Sequence, residues 1–307
     1  MVEVTDTAKK IIGNVEQVII GKRHAVGLAI TTLLARGHLL IEDRPGVGKT
    51  LLARALAKSL DLPFQRVQCT SDLLPADIIG GQVYHPQTGE LTFRHGPVFT
   101  SVLLADELNR TPPRTQSALL ECLQERRVTV DRESHELPDP FFVVATQNPL
   151  HYAGTYPLPE SQLDRFLMRI SLGYPEAEDE IEIVAQEDGH RRLEGLEPVA
   201  DADELRVAQA AVDEVRVDRE LIVHMVDLAH RTRTSGDVIL GVSARGTQAL
   251  HRACRARAVC QGRDFVVPED IRILTRPVFV HRMRTRGGDN AAEAIVSEIF
   301  DTAALPT

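Results

Sequence analysis

Lys49 and Thr50 close the stretch Asp43-Arg44-Pro45-Gly46-Val47-Gly48-Lys49-Thr50. These residue types at this spacing suit the binding of a phosphate chain. Gly46 and Gly48 lack Cβ, so backbone N–H groups can turn inward and close on phosphate oxygens. A helix starting there adds its partial positive charge. Lys49 offers a full cation to β- and γ-phosphates, and Thr50 offers a hydroxyl to Mg²⁺. The expected nucleotide contacts are Arg44, Pro45, Gly46, Val47, Gly48, Lys49, Thr50 and Leu51. Asp43 stands where this P-loop pattern has its first glycine, and a carboxylate there must point away from the phosphates. An ordinary Gly/Pro turn is the bland alternative, which Gly-Lys-Thr between a strand and a helix disfavours.

A second set of groups completes a hydrolytic site on paper. The apolar run Val102-Leu103-Leu104-Ala105 ends in Asp106-Glu107. Asp106 is placed to complete the Mg²⁺ shell through water, and Glu107 to polarise an attacking water. Asn148 follows the apolar run 141–146 and is expected at a strand's carboxyl end, where open α/β sheets hold ligands. Its amide can orient a water near the γ-phosphate, although an Asn before Pro149 also forms plain turns. Arg165 is either the partner of Asp164 or an arginine finger for a neighbouring subunit's γ-phosphate.

These groups need a scaffold. Residues 5–18 and 22–35 read as helices, and 38–42 as the strand feeding the P-loop, with His38 structural. Its Leu39-Leu40-Ile41 run suits a strand buried on both faces of a parallel sheet. The P-loop helix covers 51–60, and further strands fall at 64–69, 102–107, 141–146 and 167–172. Two hairpins are expected, one pairing 83–85 with 91–93 and one turning around 132–135. The first is a surface elaboration or a loop facing substrate or a pore. A helix starts at Pro112-Pro113. Beyond residue 172 the pattern turns helical. Segment 176–186 is acidic, Asp218 and Ser243 cap helices, and Pro268-Glu269-Asp270 opens another. Leu221, Ile222, Met225, Leu228 and Ala229 form an apolar stripe.

The bulk properties narrow the function class. The 307 residues accommodate one large or two modest domains. A net charge of −9 argues against broad electrostatic binding of nucleic acid. Cys69, Cys122, Cys254 and Cys260 show no metal or redox spacing and read as reduced thiols. His224 and His230 lie off ligand spacing, so no metal is expected on them. No apolar run reaches membrane-spanning length, and the N-terminus has no signal-peptide pattern. A cytoplasmic enzyme is expected.

Longer motifs carry a family resemblance over nearly the whole chain. They are Pro45-Gly46-Val47-Gly48-Lys49-Thr50, Asp72-Leu73-Leu74-Pro75, Leu104-Ala105-Asp106-Glu107-Leu108-Asn109-Arg110, Gln116-Ser117-Ala118-Leu119-Leu120-Glu121, Ala145-Thr146-Gln147-Asn148-Pro149 and the segment 154–160. The chain resembles the MoxR branch of the AAA+ ATPases. The resemblance implies an α/β fold, with an αβα P-loop core at 1–172 and a small all-helical lid at 173–307. It makes the first hairpin a helix-2 insert and the second a pre-sensor 1 hairpin. It assigns Asn148 to sensor 1, Arg165 to the arginine finger and Arg245 to sensor 2, with Ala244 where the family usually has Pro. Whether Arg245 serves its own nucleotide or a neighbour's stays open.

The resemblance also implies ATP and Mg²⁺ as ligands, a homo-oligomeric, hexameric ring, and chaperone-like remodelling of client proteins. Metal-cofactor insertion and complex assembly are examples, often with a von Willebrand factor A domain partner. Three rivals remain at this point: a nucleic-acid-stimulated motor, a nucleotide-gated binding adaptor that hardly hydrolyses ATP, and a magnesium-chelatase-like ATPase subunit.

Overall fold

The computed structural model describes residues 2–131, 133–148, 154–185 and 189–303. Two helices, α1 (Val2–Glu16) and α2 (Arg23–Leu34), precede β1 (Leu39–Glu42). Then come α3 (Lys49–Ser59), β2 (Phe64–Gln68), α4 (Pro75–Ile79) and the hairpin β3 (Gly80–His85) with β4 (Glu90–His95). Next are β5 (Val102–Asp106), α5 (Pro113–Glu125) and a second hairpin, β6 (Arg127–Val130) with β7 (Glu133–Glu136). The core closes with β8 (Phe142–Gln147), α6 (Glu160–Leu163) and β9 (Met168–Ile170). Both expected hairpins are antiparallel pairs. Arg132, Pro149 and Gln186, named in the expected turns and helix, lie outside the described residues.

The five core strands form one parallel sheet in the order β2-β5-β8-β1-β9. Every residue of β5 and β8 is buried, which is why both read as unbroken apolar runs. Register places Gln68 beside Asp106 and Glu42 beside Gln147, so the carboxyl ends of the strands come together. Ligands of open α/β sheets bind at that edge. His38 is structural, as expected. Its Nδ1 accepts from Val143 N at 3.1 Å and its Nε2 lies 3.1 Å from the Leu123 carbonyl. Burial lowers its pKa to about 3, so the ring is neutral.

The remaining elements are α7 (Ala177–Ala185), α8 (Gly189–Glu194), α9 (Ala202–Asp213), α10 (Arg219–Thr234), β10 (Val238–Leu240), α11 (Ala244–Cys260), α12 (Pro268–Phe279), β11 (Arg284–Thr285) and α13 (Gly288–Thr302). The chain beyond β9 is helical in its bulk but not all-helical as expected, because β10 and β11 pair antiparallel. Segments of two and three residues are too short for a period-2 signal to reveal. Ser243 caps α11 through Gly246 N at 3.2 Å, and Asp201 caps α9 through Asp203 N and Glu204 N, both at 2.9 Å. Ile222 is exposed, unlike the rest of its expected stripe, and His224 is buried instead.

One apolar cluster covers a face of the sheet and continues into the lid. It joins Ile11 of α1, Ile30 of α2, Leu56 of α3, Leu205 of α9 and Leu250 of α11. A separate cluster under α5 and the second hairpin covers the other face. The four cysteines are buried and free, and burial pushes Cys69 and Cys122 up to about 12. They are inert packing residues.

Candidate active site

The turn after β1 lies at the sheet's carboxyl edge. Gly46 and Gly48 have φ of 85° and 94°, left-handed values that strain any residue with a Cβ. Lys49 therefore begins α3 directly from Gly48. Pro45, Gly46, Val47, Gly48, Lys49, Thr50 and Leu51 line a cleft of about 680 Å³ together with Asp106, Glu107 and Asn148. Arg44 is not among them. Its guanidinium lies 5.5 Å from the centre of the Tyr174 ring, so its side chain serves the linker after β9.

Asp43 points away from the phosphate side. Its Oδ2 accepts from Ser171 Oγ, Leu172 N and Gly173 N at 2.7–2.8 Å, and its Oδ1 from Arg44 N at 2.8 Å. Burial opposes its ionisation, but the bonds from Gly173, Ser171, Arg44 and Leu172 outweigh burial and lower its pKa. Asp43 thus ties the P-loop to the residues just after β9, a role that short-range spacing could not reveal.

Asn148 joins the charged groups. Its Oδ1 accepts from Lys49 Nζ at 3.4 Å and its Nδ2 donates to Glu107 Oε1 at 3.0 Å. Lys49 Nζ also donates to the Asp43 carbonyl at 2.6 Å. Burial lowers the Lys49 pKa, and Asp43, Asp106, Glu107 and Glu42 pull against it. Asn109 Nδ2 holds the Asn148 carbonyl at 2.9 Å. Glu107 has a left-handed φ of 59°, and its N donates to Thr146 Oγ1 at 2.8 Å. That hydroxyl donates to Asp106 Oδ1 at 2.6 Å. Thr146 therefore fixes both carboxylate residues across the β5–β8 pair.

Sequence reasoning missed three polar contacts. Arg66 donates to Asp106 Oδ2 through Nε at 3.1 Å and Nη2 at 2.7 Å. Arg110 Nη1 donates to Glu107 Oε2 at 2.8 Å, and Gln68 Nε2 approaches it at 3.5 Å. Arg66 and Gln68 share a face of β2 by the period of two, but only the strand order shows that this face meets Asp106. Also unforeseen was the apolar wall of Val18, Ile19 and Ile20, facing Tyr174, Ile183 and Val184 of the lid. Such a wall fits the faces of a base.

Thr50 and Asp106 line the cleft together and offer the hard oxygen donors that Mg²⁺ takes. No group of three or more His, Cys, Asp or Glu among the described residues could hold a metal. Mg²⁺ usually needs only one or two carboxylates when substrate phosphates complete its shell. The donor set therefore fits that ion.

Arg165 and Arg245 are not brought to this cleft. Arg165 lines a separate depression with Glu121, Gln124, Glu125, Arg127 and Thr129. Its side chain makes no hydrogen bond or ion pair among the described residues. Arg245, in the first turn of α11, lies with its Nε 3.8 Å from Asp164 Oδ2, close to Arg165 in the chain.

Comparison with known proteins agrees with this geometry. The profile for the ATPase family associated with various cellular activities (AAA) matches residues 38–168, and an AAA lid domain profile matches 230–299. The chain is 44% identical to the uncharacterized protein YeaC of Bacillus subtilis, over 97% of this chain and 94% of that one. It is 36% identical to the chaperone MoxR1 of Mycobacterium tuberculosis, over 98% of this chain and 82% of the relative. A crystal structure of a candidate ATPase from Cytophaga hutchinsonii superposes with a TM-score of 0.88 at 33% identity, covering 99% of this chain and 96% of that one. Likeness of this degree over most of both chains makes this chain a member of the MoxR family of AAA+ ATPases.

Proposed function

We propose that this protein hydrolyses ATP to remodel partner proteins, as one subunit of a hexameric ring whose active sites are completed between neighbours. The observation that carries the reading is the separation of charges. Lys49, Asn148, Glu107 and Asp106 share one cleft, while Arg165 and Arg245 lie outside it. The division into a core at 1–172 and a lid at 173–307 belongs to the same reading.

The P-loop N–H groups and Lys49 bind the β- and γ-phosphates, with the apolar wall against the base. Thr50 and Asp106 would hold Mg²⁺, which would supply positive charge to the phosphate oxygens. Asn148 orients a water, and Glu107 takes its proton once it has parted from Arg110. Arg165 of the adjacent subunit then compensates the charge of the transition state. Arg245 sits beside Asp164, the chain neighbour of Arg165, which favours action on the neighbour's nucleotide.

The chaperone name of the M. tuberculosis relative supports remodelling as the output. Metal-cofactor insertion or complex assembly are the tasks proposed, in the cytoplasm, with a von Willebrand factor A domain protein as partner. No helix among the described residues is long and apolar enough to cross a membrane.

The test is specific ATPase activity against protein concentration, with sedimentation to follow assembly. An arginine supplied in trans is worth about 10³–10⁵ in rate, so turnover per chain should collapse as the ring dissociates. Undiminished turnover in a demonstrably monomeric sample would contradict the reading.

A further inference from the structure

Arg66 has no place in the mechanism above, yet it makes the closest cationic contact to the carboxylate assigned to Mg²⁺. It projects from β2, an edge strand, and both its Nε and Nη2 donate to Asp106 Oδ2. The Asp106 side chain is 10% exposed, and the Arg66 side chain 48%. Nη2 also donates to Gln68 Oε1 at 2.6 Å, which fixes the guanidinium from a second side. Thr146 Oγ1 occupies the other oxygen, Oδ1. Asp106 thus already carries a hydroxyl donor and a permanent cation.

We propose that Arg66 is a positioning residue that acts as a resident counter-charge at Asp106, setting how tightly the site takes a divalent cation relative to bare nucleotide. The inference rests on the reading of Asp106 as the Mg²⁺ carboxylate. A fixed positive charge beside that carboxylate opposes Mg²⁺ and favours the anionic phosphates in the same cleft. Arg66 therefore moves the two affinities in opposite directions. A residue that merely held the strand together would move them in the same direction.

The experiment measures binding of a ribose-labelled, non-hydrolysable ATP analogue by fluorescence, with EDTA and across a Mg²⁺ titration. It compares the full wild-type chain with Arg66→Gln and Arg66→Lys. With the guanidinium half-exposed, Arg66→Gln should lower the Mg²⁺ concentration at half-effect by roughly two- to fivefold and weaken Mg²⁺-free binding by a similar factor. Arg66→Lys keeps the charge without the two-pronged contact and should stay closer to wild type on both measures. Should Arg66→Gln not fold, Arg66→Lys decides, with smaller shifts of the same opposite signs. Shifts of the same sign, a shift in only one quantity, or none would overturn the Arg66 assignment while leaving the ATPase reading intact. A wild-type chain that bound no analogue would sink both.

Discussion

Asn148 donates to Glu107 and accepts from Lys49, so one amide ties the water-activating carboxylate to the phosphate-binding cation. The charge on Glu107 is then the part of the site that chemistry needs and binding does not. Glu107→Gln keeps an acceptor for Asn148 and removes the base. We expect ATP binding to persist while turnover falls by about 10²–10⁴-fold, read by phosphate release beside nucleotide binding. Unchanged turnover would remove Glu107 from the mechanism. Lys49, Thr50, Asp106 and Glu107 were legible because their chemistry is written in spacings of a few residues. The partners that orient them were not. Thr146, Arg66 and Asp43 act on groups some 40 to 130 positions away in the chain, and strand order alone decides those meetings.

Between residues and molecule, the elements show how the arginines are held. Arg282, in the short turn after α12, is buried in the lid but grips the segment between α6 and β9. Its Nε donates to Asp164 Oδ1 at 2.7 Å, its Nη2 to the Phe166 carbonyl at 2.6 Å and its Nη1 to the Leu167 carbonyl at 3.1 Å. Burial brings its pKa down to about 10, with Asp164 pulling the other way, so it stays charged. Arg165 lies inside the gripped segment. Arg282→Ala would strand these acceptors, and we expect a loss of about 3 kcal/mol in unfolding free energy, read by urea denaturation. A loss below about 1 kcal/mol would place the clasp among ordinary surface pairs. The two hairpins are also joined, by Phe93 stacked on His135 at 4.0 Å and His95 edge-on to His135 at 6.2 Å. Each hairpin was legible from its own turn. Their contact was not, because nothing local in one encodes the other.

At the scale of the whole molecule, the lid is not a loosely hung appendage. The apolar cluster through α1, α2, α3, α9 and α11 makes the helices on the sheet and those after β9 share one interior. A helical second part was legible from caps and stripes, whereas its packing on α1 and α2 was not, since an amphipathic stripe does not name its partner. With Arg282 clasping the segment that bears Arg165 and Asp43 tying the P-loop to the residues just after β9, both halves of the proposed machine are anchored. Those halves would serve different clefts: the P-loop its own, Arg165 the next subunit's.

The central claim is that sharing of one engine between two copies, and mixing two dead variants tests it most directly. Arg165→Ala keeps an intact P-loop but offers no finger. Lys49→Ala offers the finger but cannot use ATP. Each should be inactive alone. An equal mixture, assembled and assayed for ATP turnover, should recover about a quarter of wild-type activity for random placement around a ring. A mixture as inactive as its components, with rings confirmed by sedimentation, would contradict the account.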